Sequence, residues 1–170
     1  MRALVVYESM FGNTERLAQA VGEELAAVGT VEVMNVDDAP RTLDGIDLLV
    51  VGAPTHAFGL SRPQTRVDAA SRWDTDPVTR GTGMRDWLEL VSPASAEMTA
   101  VAFGTRMRKP RWLTGSAARS ATRLLRRAGF AVDAPEDFFV TGMLGPLFDG
   151  EIARAHAWAH DLVGVVPAVG

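Results

Sequence analysis

The sequence predicts an α/β domain built on an open, doubly wound parallel sheet, and three observations carry that reading. Short apolar runs alternate with longer amphipathic segments along the chain, the pattern of strands joined by helices. Two of those runs, residues 4–6 and 48–51, are apolar at consecutive positions, as strands must be when helices cover both faces of a sheet. The 170 residues contain no Pro/Gly-rich linker, internal repeat or low-complexity tract, which fits one domain over residues 1–170 with a substantial core.

Taken in order, strands are expected at residues 3–7, 31–36, 48–52, 100–103 and 138–140. Helices are expected at 14–28, 85–91, 116–128 and 151–163, with a further turn near 65–72. The alternating pattern at 31–36 suits an edge strand. Five strands and at least four helices favour the order 2-1-3-4-5 over a six-stranded dinucleotide fold. In that order the crevice opens at the carboxyl edge between the first and third strands. The loops after Tyr7 and after Gly52 therefore face each other across it.

Composition narrows the chemistry. No cysteine is present, so disulfides, thiolate metal sites, iron–sulfur ligation and thiol redox chemistry are excluded, and redox work would need a bound cofactor. A formal net charge of −4 argues against bulk nucleic-acid binding. The N-terminus has no basic-then-apolar leader pattern, and no apolar stretch reaches the roughly 20 residues that span a bilayer, so a cytoplasmic protein without membrane insertion is expected.

The first crevice loop is Glu8, Ser9, Met10, Phe11, Gly12, Asn13, followed by Thr14. A helix starting there aims its unpaired N–H groups and positive dipole end at the loop, Gly12 permits a tight turn, and Ser9, Asn13 and Thr14 add donors. The same residues also suit a plain strand-to-helix turn capped by Ser9, Asn13 or Thr14. The spaced glycines of a dinucleotide loop and the lysine of a nucleoside-triphosphate loop are both absent. The second loop reads Pro54, Thr55, His56, Ala57, Phe58, Gly59, with His56 or Phe58 able to stack on a flat ring. Alternatively Pro54 and Gly59 merely shape a turn over a core Phe58.

Together these loops resemble those of flavodoxins. Ser9 to Thr14 resembles the loop that holds the FMN phosphate without basic side chains, and Pro54 to Gly59 resembles the loop that carries a stacking aromatic and a glycine. The resemblance implies a flavodoxin-like fold, FMN as cofactor, and an electron-transfer role served by a redox partner protein or an NAD(P)H reductase. It places the cofactor against both loops and against Phe103, Gly104, Thr105 and Met107 after the fourth strand. Ser9-Met10-Phe11-Gly12 and Pro54-Thr55-His56-Phe58-Gly59 also resemble loops of flavodoxin-fold NAD(P)H:quinone reductases, which keeps an enzyme open as an alternative. A binding or regulatory module of this fold without FMN is the third reading, because the third loop lacks a stacking tyrosine and leaves that face to Met107, Trp112 or a partner, or open.

That third loop carries Arg106, Arg108, Lys109 and Arg111, whereas flavodoxins generally surround the flavin with carboxylates. Positive charge here stabilises anionic reduced flavin, raises its potential and offers a surface to a partner. Arg119, Arg123 and Arg126 or Arg127 continue the charge along one helix face, which equally fits a solvated surface. His156 and His160 have a chelating i, i+4 spacing without a third ligand, so no metal is assigned; no catalytic residue is assigned either. Asp149 is expected to cap the last helix. Residues 61–83 read as a lid or partner surface and 141–148 as a shaped loop.

Overall fold

The structure, a computed structural model, describes residues 1–73, 76–96 and 98–164, without the side chains of residues 72, 73 and 111. Strand β1 (Arg2–Tyr7) leads into helix α1 (Asn13–Leu25), then β2 (Thr30–Asn35) and β3 (Leu48–Pro54). Helices α2 (Pro63–Trp73) and α3 (Met84–Leu88) precede β4 (Thr99–Met107), α4 (Arg111–Thr114) and α5 (Ala117–Ala128). Strands β5 (Ala131–Val132) and β6 (Glu136–Val140) and helix α6 (Glu151–Leu162) complete it.

All strand pairs are parallel in the order β2-β1-β3-β4, and β5 and β6 both pair with β4. The fifth lane of the expected sheet is thus one line of chain in two pieces. β5 lies against Thr99 and Ala100 and β6 against Phe103 to Met107, with residues 133–135 breaking the lane between them. The edge position expected for residues 31–36 is held by β2.

Alternating side chains of these buried strands feed two cores. Leu4, Val6, Leu49, Val51, Ala100 and Ala102 pack under Trp87 and Leu88 of α3 and Ala121 and Leu125 of α5. Val5, Val50, Val101 and Phe103 pack on the other face under Leu17 and Val21 of α1 and Ala155 and Ala159 of α6. In that second core Phe103, Phe138 and Trp158 meet edge-to-face, with centroids 5.9–6.0 Å apart. Such a cluster stabilises by about 0.5–1.5 kcal/mol per pair beyond area burial.

Several local expectations are corrected. Strand β4 runs to Met107 rather than stopping at Phe103, because β3 pairs with it as far as Thr105 and β6 from Phe103 onward. Thr105 and Arg106 are polar strand residues that find buried partners. Helix α2 is a full helix rather than a turn, and the short α4 fills what reads as loop. The N-cap of α6 is Gly150 with no side-chain cap, so Asp149 does not perform that role. Ser116 does cap α5, its Oγ accepting from Arg119 N–H.

Candidate functional site

A cleft of about 470 Å³ opens at the carboxyl edge of the sheet, where the strand order reverses. From the first loop it takes Ser9, Met10, Phe11, Asn13 and Thr14; from the second, Pro54, Thr55, His56, Ala57 and Phe58; from β4, Thr105, Arg106 and Met107. Its remaining lining is Thr65, Asp68 and Ala69 of α2, Leu113 and Thr114 of α4, and Val140, Gly142 and Met143.

Local geometry decides whether the first loop is capped or open. The N-cap of α1 is Gly12 at φ 83, a left-handed conformation, and no side chain caps the helix. Ser9 Oγ instead accepts from Gly12 N–H at 3.1 Å, rounding the loop from within. The backbone N–H groups of Asn13, Thr14 and Glu15 find no acceptor among the described residues. A helix end left open in this way is a ready-made anion site. The loop is braced from behind: Thr79 Oγ1 accepts from Ser9 N–H at 2.8 Å, while Thr79 and Val78 N–H donate to the carbonyls of Ser9 and Met10. Residues 76–81 thus serve as a strut for the loop, a role that residue type alone did not signal.

Two expected donors are partly committed. Asn13 Nδ2 donates to Leu144 O at 3.0 Å, tying the 141–148 loop down beside the helix end. Thr14 Oγ1 lies 3.3 Å from Thr105 Oγ1, both side chains buried. The lone tyrosine is also engaged: Tyr7 OH donates to Glu15, and burial, then that hydrogen bond, push its pKa up to about 12.

The second loop is a tight two-residue hairpin. His56 and Gly59 exchange both backbone hydrogen bonds at 2.8 Å, and Ala57 and Phe58 between them sit at φ 39 and 75. Left-handed alanine and phenylalanine are strained, and the surroundings must hold them. Phe58 pairs with Gly115, and Ala117 N–H donates to Thr55 Oγ1 at 3.0 Å, so the α4–α5 turn clamps the loop. Phe58 is 66% exposed at the cleft mouth rather than in the core. Burial, and secondarily the charge of Arg66, hold the His56 pKa below its ordinary value, so its ring is neutral at neutral pH.

Five residues expected at the site do not line the cleft. Phe103 points into the aromatic core of the α1/α6 face, and Gly104 faces Ala118 on α5, where a Cβ would come within 2.9 Å of the backbone. Gly12 and Gly59 are off the lining as well, and the Gly59 N–H is already bonded to His56. Trp112 is 78% exposed and off the lining. Met107, expected at the site, does line the cleft, joined by Val140 and Met143. An apolar Met143-Leu144 pair within a Gly-flanked loop is the signal that would have found the last of these.

The electrostatic expectation changes too. Arg106 is buried and ion-paired: its Nε donates to Asp137 Oδ2 at 2.9 Å, and Nη1 donates to the Lys109 carbonyl at 2.7 Å. It is a neutralised structural cation and is not available to grip a partner. Arg108 lies over the rings of Phe139 and Phe148, while Lys109 is exposed. The Arg111 side chain is outside the described residues. Asp68 is the one carboxylate on the cleft lining among the described residues. His156 and His160 reach Glu23 and Glu24 on α1, and no metal-holding cluster occurs among the described residues.

At the start of the first loop, Glu8 is fully buried, with Oε2 accepting from Met84 N–H at 2.7 Å and Oε1 without a partner among the described residues. Burial pushes its pKa up from 4.5, only partly offset by Ser61, Met84 and Arg66. A group protonated when folded and ionised when unfolded makes stability fall as pH rises from 4.5 through the folded value. Glu8→Gln should therefore gain stability relative to wild type as pH rises across that window. Thermal unfolding of both proteins across that range checks this; parallel curves would exclude the buried-acid account.

No described helix is long and apolar enough to cross a membrane. Solved structures share the fold at low identity. A flavodoxin from the domain Archaea superposes with a TM-score of 0.68 at 20% identity, covering 97% of this chain and 98% of that one. Flavodoxin 1 from Bacillus cereus gives 0.68 at 20% identity, with 96% and 98% covered. A flavodoxin-like WrbA-like protein from Agrobacterium tumefaciens gives 0.56 at 18%, with 96% of each chain covered. Among curated proteins none matches. The family sequence model described as Flavodoxin matches residues 5–132, well over half of the chain, and with the sheet order and crevice described above this chain belongs to the flavodoxin family.

Proposed function

We propose that this protein binds FMN in the carboxyl-edge cleft and acts as an electron-transfer protein. The observation that carries the reading is the open N-terminus of α1: three N–H groups unpaired among the described residues, a left-handed glycine cap and no side-chain cap, facing an apolar-walled cleft. The backbone of residues 13–15 and the Thr14 hydroxyl would hold the phosphate. His56 and Phe58 would flank one side of the ring, with Met107 and Met143 on the other wall. FMN, when bound, supplies one- and two-electron redox chemistry. The chain's own contribution is binding, exclusion of water by the apolar walls, and a neutral His56 beside the ring.

The test is a paired titration of FMN and riboflavin, which share the ring and differ in the phosphate. FMN should bind more tightly. Thr14→Val should weaken FMN binding by about tenfold or more, the worth of one charge-assisted hydrogen bond, and leave riboflavin unchanged. Equal binding of the two ligands would remove the phosphate assignment, and binding of neither would remove the FMN reading.

A further inference from the structure

Helix α5 turns one stripe to solvent, and every exposed residue of the helix is an arginine: Arg119, Arg123, Arg126 and Arg127. Their spacing puts them on one face, a stripe about 12 Å long, while Ala117, Ala121 and Leu125 pack the opposite face into the core. Among the described residues none of the four takes part in an ion pair, and Arg123 donates to Ser120 Oγ at 3.0 Å. Of the carboxylates on the flanking elements, Asp86 of α3 pairs with Arg66, and neither Glu89 nor Asp133 pairs with any of the four. Residues 98–132 as a whole hold eight Lys and Arg and no Asp or Glu. The arrangement works against the helix itself. Arg123 has like charges three or four residues away at Arg119, Arg126 and Arg127, and Arg119 stands in the first turn, at the positive end of the dipole.

Just before the stripe, α4 exposes Trp112 at 78% and Leu113 at 48%, and only Gly115 and Ser116 separate α4 from α5. Exposed Lys109 is held beside α4, because its carbonyl and the Thr114 hydroxyl both accept from Arg106 Nη1. Arginines without counter-charges next to an exposed tryptophan and leucine suit an anionic bilayer: the cations gain from lipid phosphates, and the amphipathic ring gains at headgroup level. Lipid phosphates are also mobile, so they can meet a convex arginine stripe without a complementary shape. We propose that the α4–α5 face adsorbs to anionic phospholipid, lying on the bilayer without inserting a helix. Duplex nucleic acid would meet the same arginines but leave Trp112 and Leu113 in water. Leu113 and Thr114 also line the cleft, so an adsorbed molecule holds one wall of the cleft at the bilayer surface. Adsorption needs no cofactor and is independent of the FMN reading.

The experiment is co-sedimentation of the full chain with vesicles of equal parts phosphatidylglycerol and phosphatidylcholine, and separately with pure phosphatidylcholine vesicles. Binding to a labelled DNA duplex, read by anisotropy at the same phosphate concentration, is the third probe. The protein should sediment with the anionic vesicles alone, and partitioning should fall about tenfold or more as ionic strength rises from about 0.02 to 0.3 M. The double variant Arg119→Gln, Arg126→Gln should weaken it by about thirtyfold, about fivefold for each cation removed. Arg2→Gln, Arg41→Gln, an equal charge change at exposed positions away from α5, should leave it nearly unchanged. Trp112→Ala should weaken partitioning by the same factor at low and high salt, since that contribution is not ionic. Equal sedimentation with both vesicle types, sedimentation with neither, equal losses in the two double variants, or tighter binding to DNA than to anionic vesicles would each overturn the proposal. The lipid and salt dependence of the wild type decides it even if a variant misfolds. FMN affinity is read separately from the visible spectrum, so failure of adsorption and failure of the FMN reading are distinct results.

Discussion

Asp137→Ala is expected to destabilise the fold by about 3–5 kcal/mol, the largest effect of any single substitution considered, because it leaves a buried cation without its counter-charge. The side chains of Arg106 and Asp137 are 7% and 5% exposed. Asp137 Oδ2 accepts from Arg106 Nε at 2.9 Å, while Oδ1 accepts from the Ser116 hydroxyl at 2.8 Å. One carboxylate on β6 thus joins β4 to the capping residue of α5. Removing it leaves the guanidinium with the carbonyls of Met107 and Lys109 and the hydroxyl of Thr114, none of which carries charge. Asp137→Asn, which retains an acceptor, should cost less. The double change Arg106→Met, Asp137→Leu should recover most of the loss, since replacing a buried ion pair whole is commonly near neutral. Urea unfolding of the wild type and these three variants measures the differences. A double variant as unstable as Asp137→Ala alone would mean that the pair's shape, rather than its charge balance, matters.

That pair also shows where the sequence is readable and where it is not. The apolar runs of β1 and β3 identify themselves because both of their faces are covered, and the sheet order follows from the count and alternation of elements. The far end of β4 was hidden because Thr105 and Arg106 look like loop residues until Thr14 and Asp137, distant in sequence, are seen to satisfy them. Both crevice loops were located from their residues, and most of them line the cleft. Whether Ser9 and Asn13 cap the helix or leave it open could not be read, because each side chain has several acceptors or donors in reach. The choice falls to Gly12 N–H for one and to Leu144, 131 residues away, for the other. The strut at Thr79 and the wall at Met143 were missed for the same reason: they are long-range contacts of residues ordinary in type.

Gly115→Val should loosen FMN binding by far more than a glycine substitution elsewhere of equal backbone cost. Gly115 sits at φ 70, so any side chain there incurs left-handed strain of about 1–2 kcal/mol. A Cβ would also lie 2.0 Å from the Phe58 carbonyl oxygen and 2.4 Å from its Cα, contacts that nothing but backbone movement can relieve. The part that moves is the hairpin of residues 56–59, since the turn it leans on is anchored through Ser116 to Asp137. Ala57 and Phe58 are already in left-handed conformations, so once the clamp opens they relax away from the present geometry and carry His56 and Phe58 off the cleft wall. A loss of about tenfold or more in FMN affinity is expected, about 1.4 kcal/mol per decade. Gly150→Ala is the control: at φ 85 with open space around it, it carries the backbone strain without the collision and lies at the start of α6, off the cleft. It should lower the unfolding midpoint and leave FMN affinity unchanged. If both variants lose stability alike and neither loses affinity, the second loop is not part of the FMN site; if only Gly115→Val loses affinity, the strained hairpin is held in place for the ligand it faces.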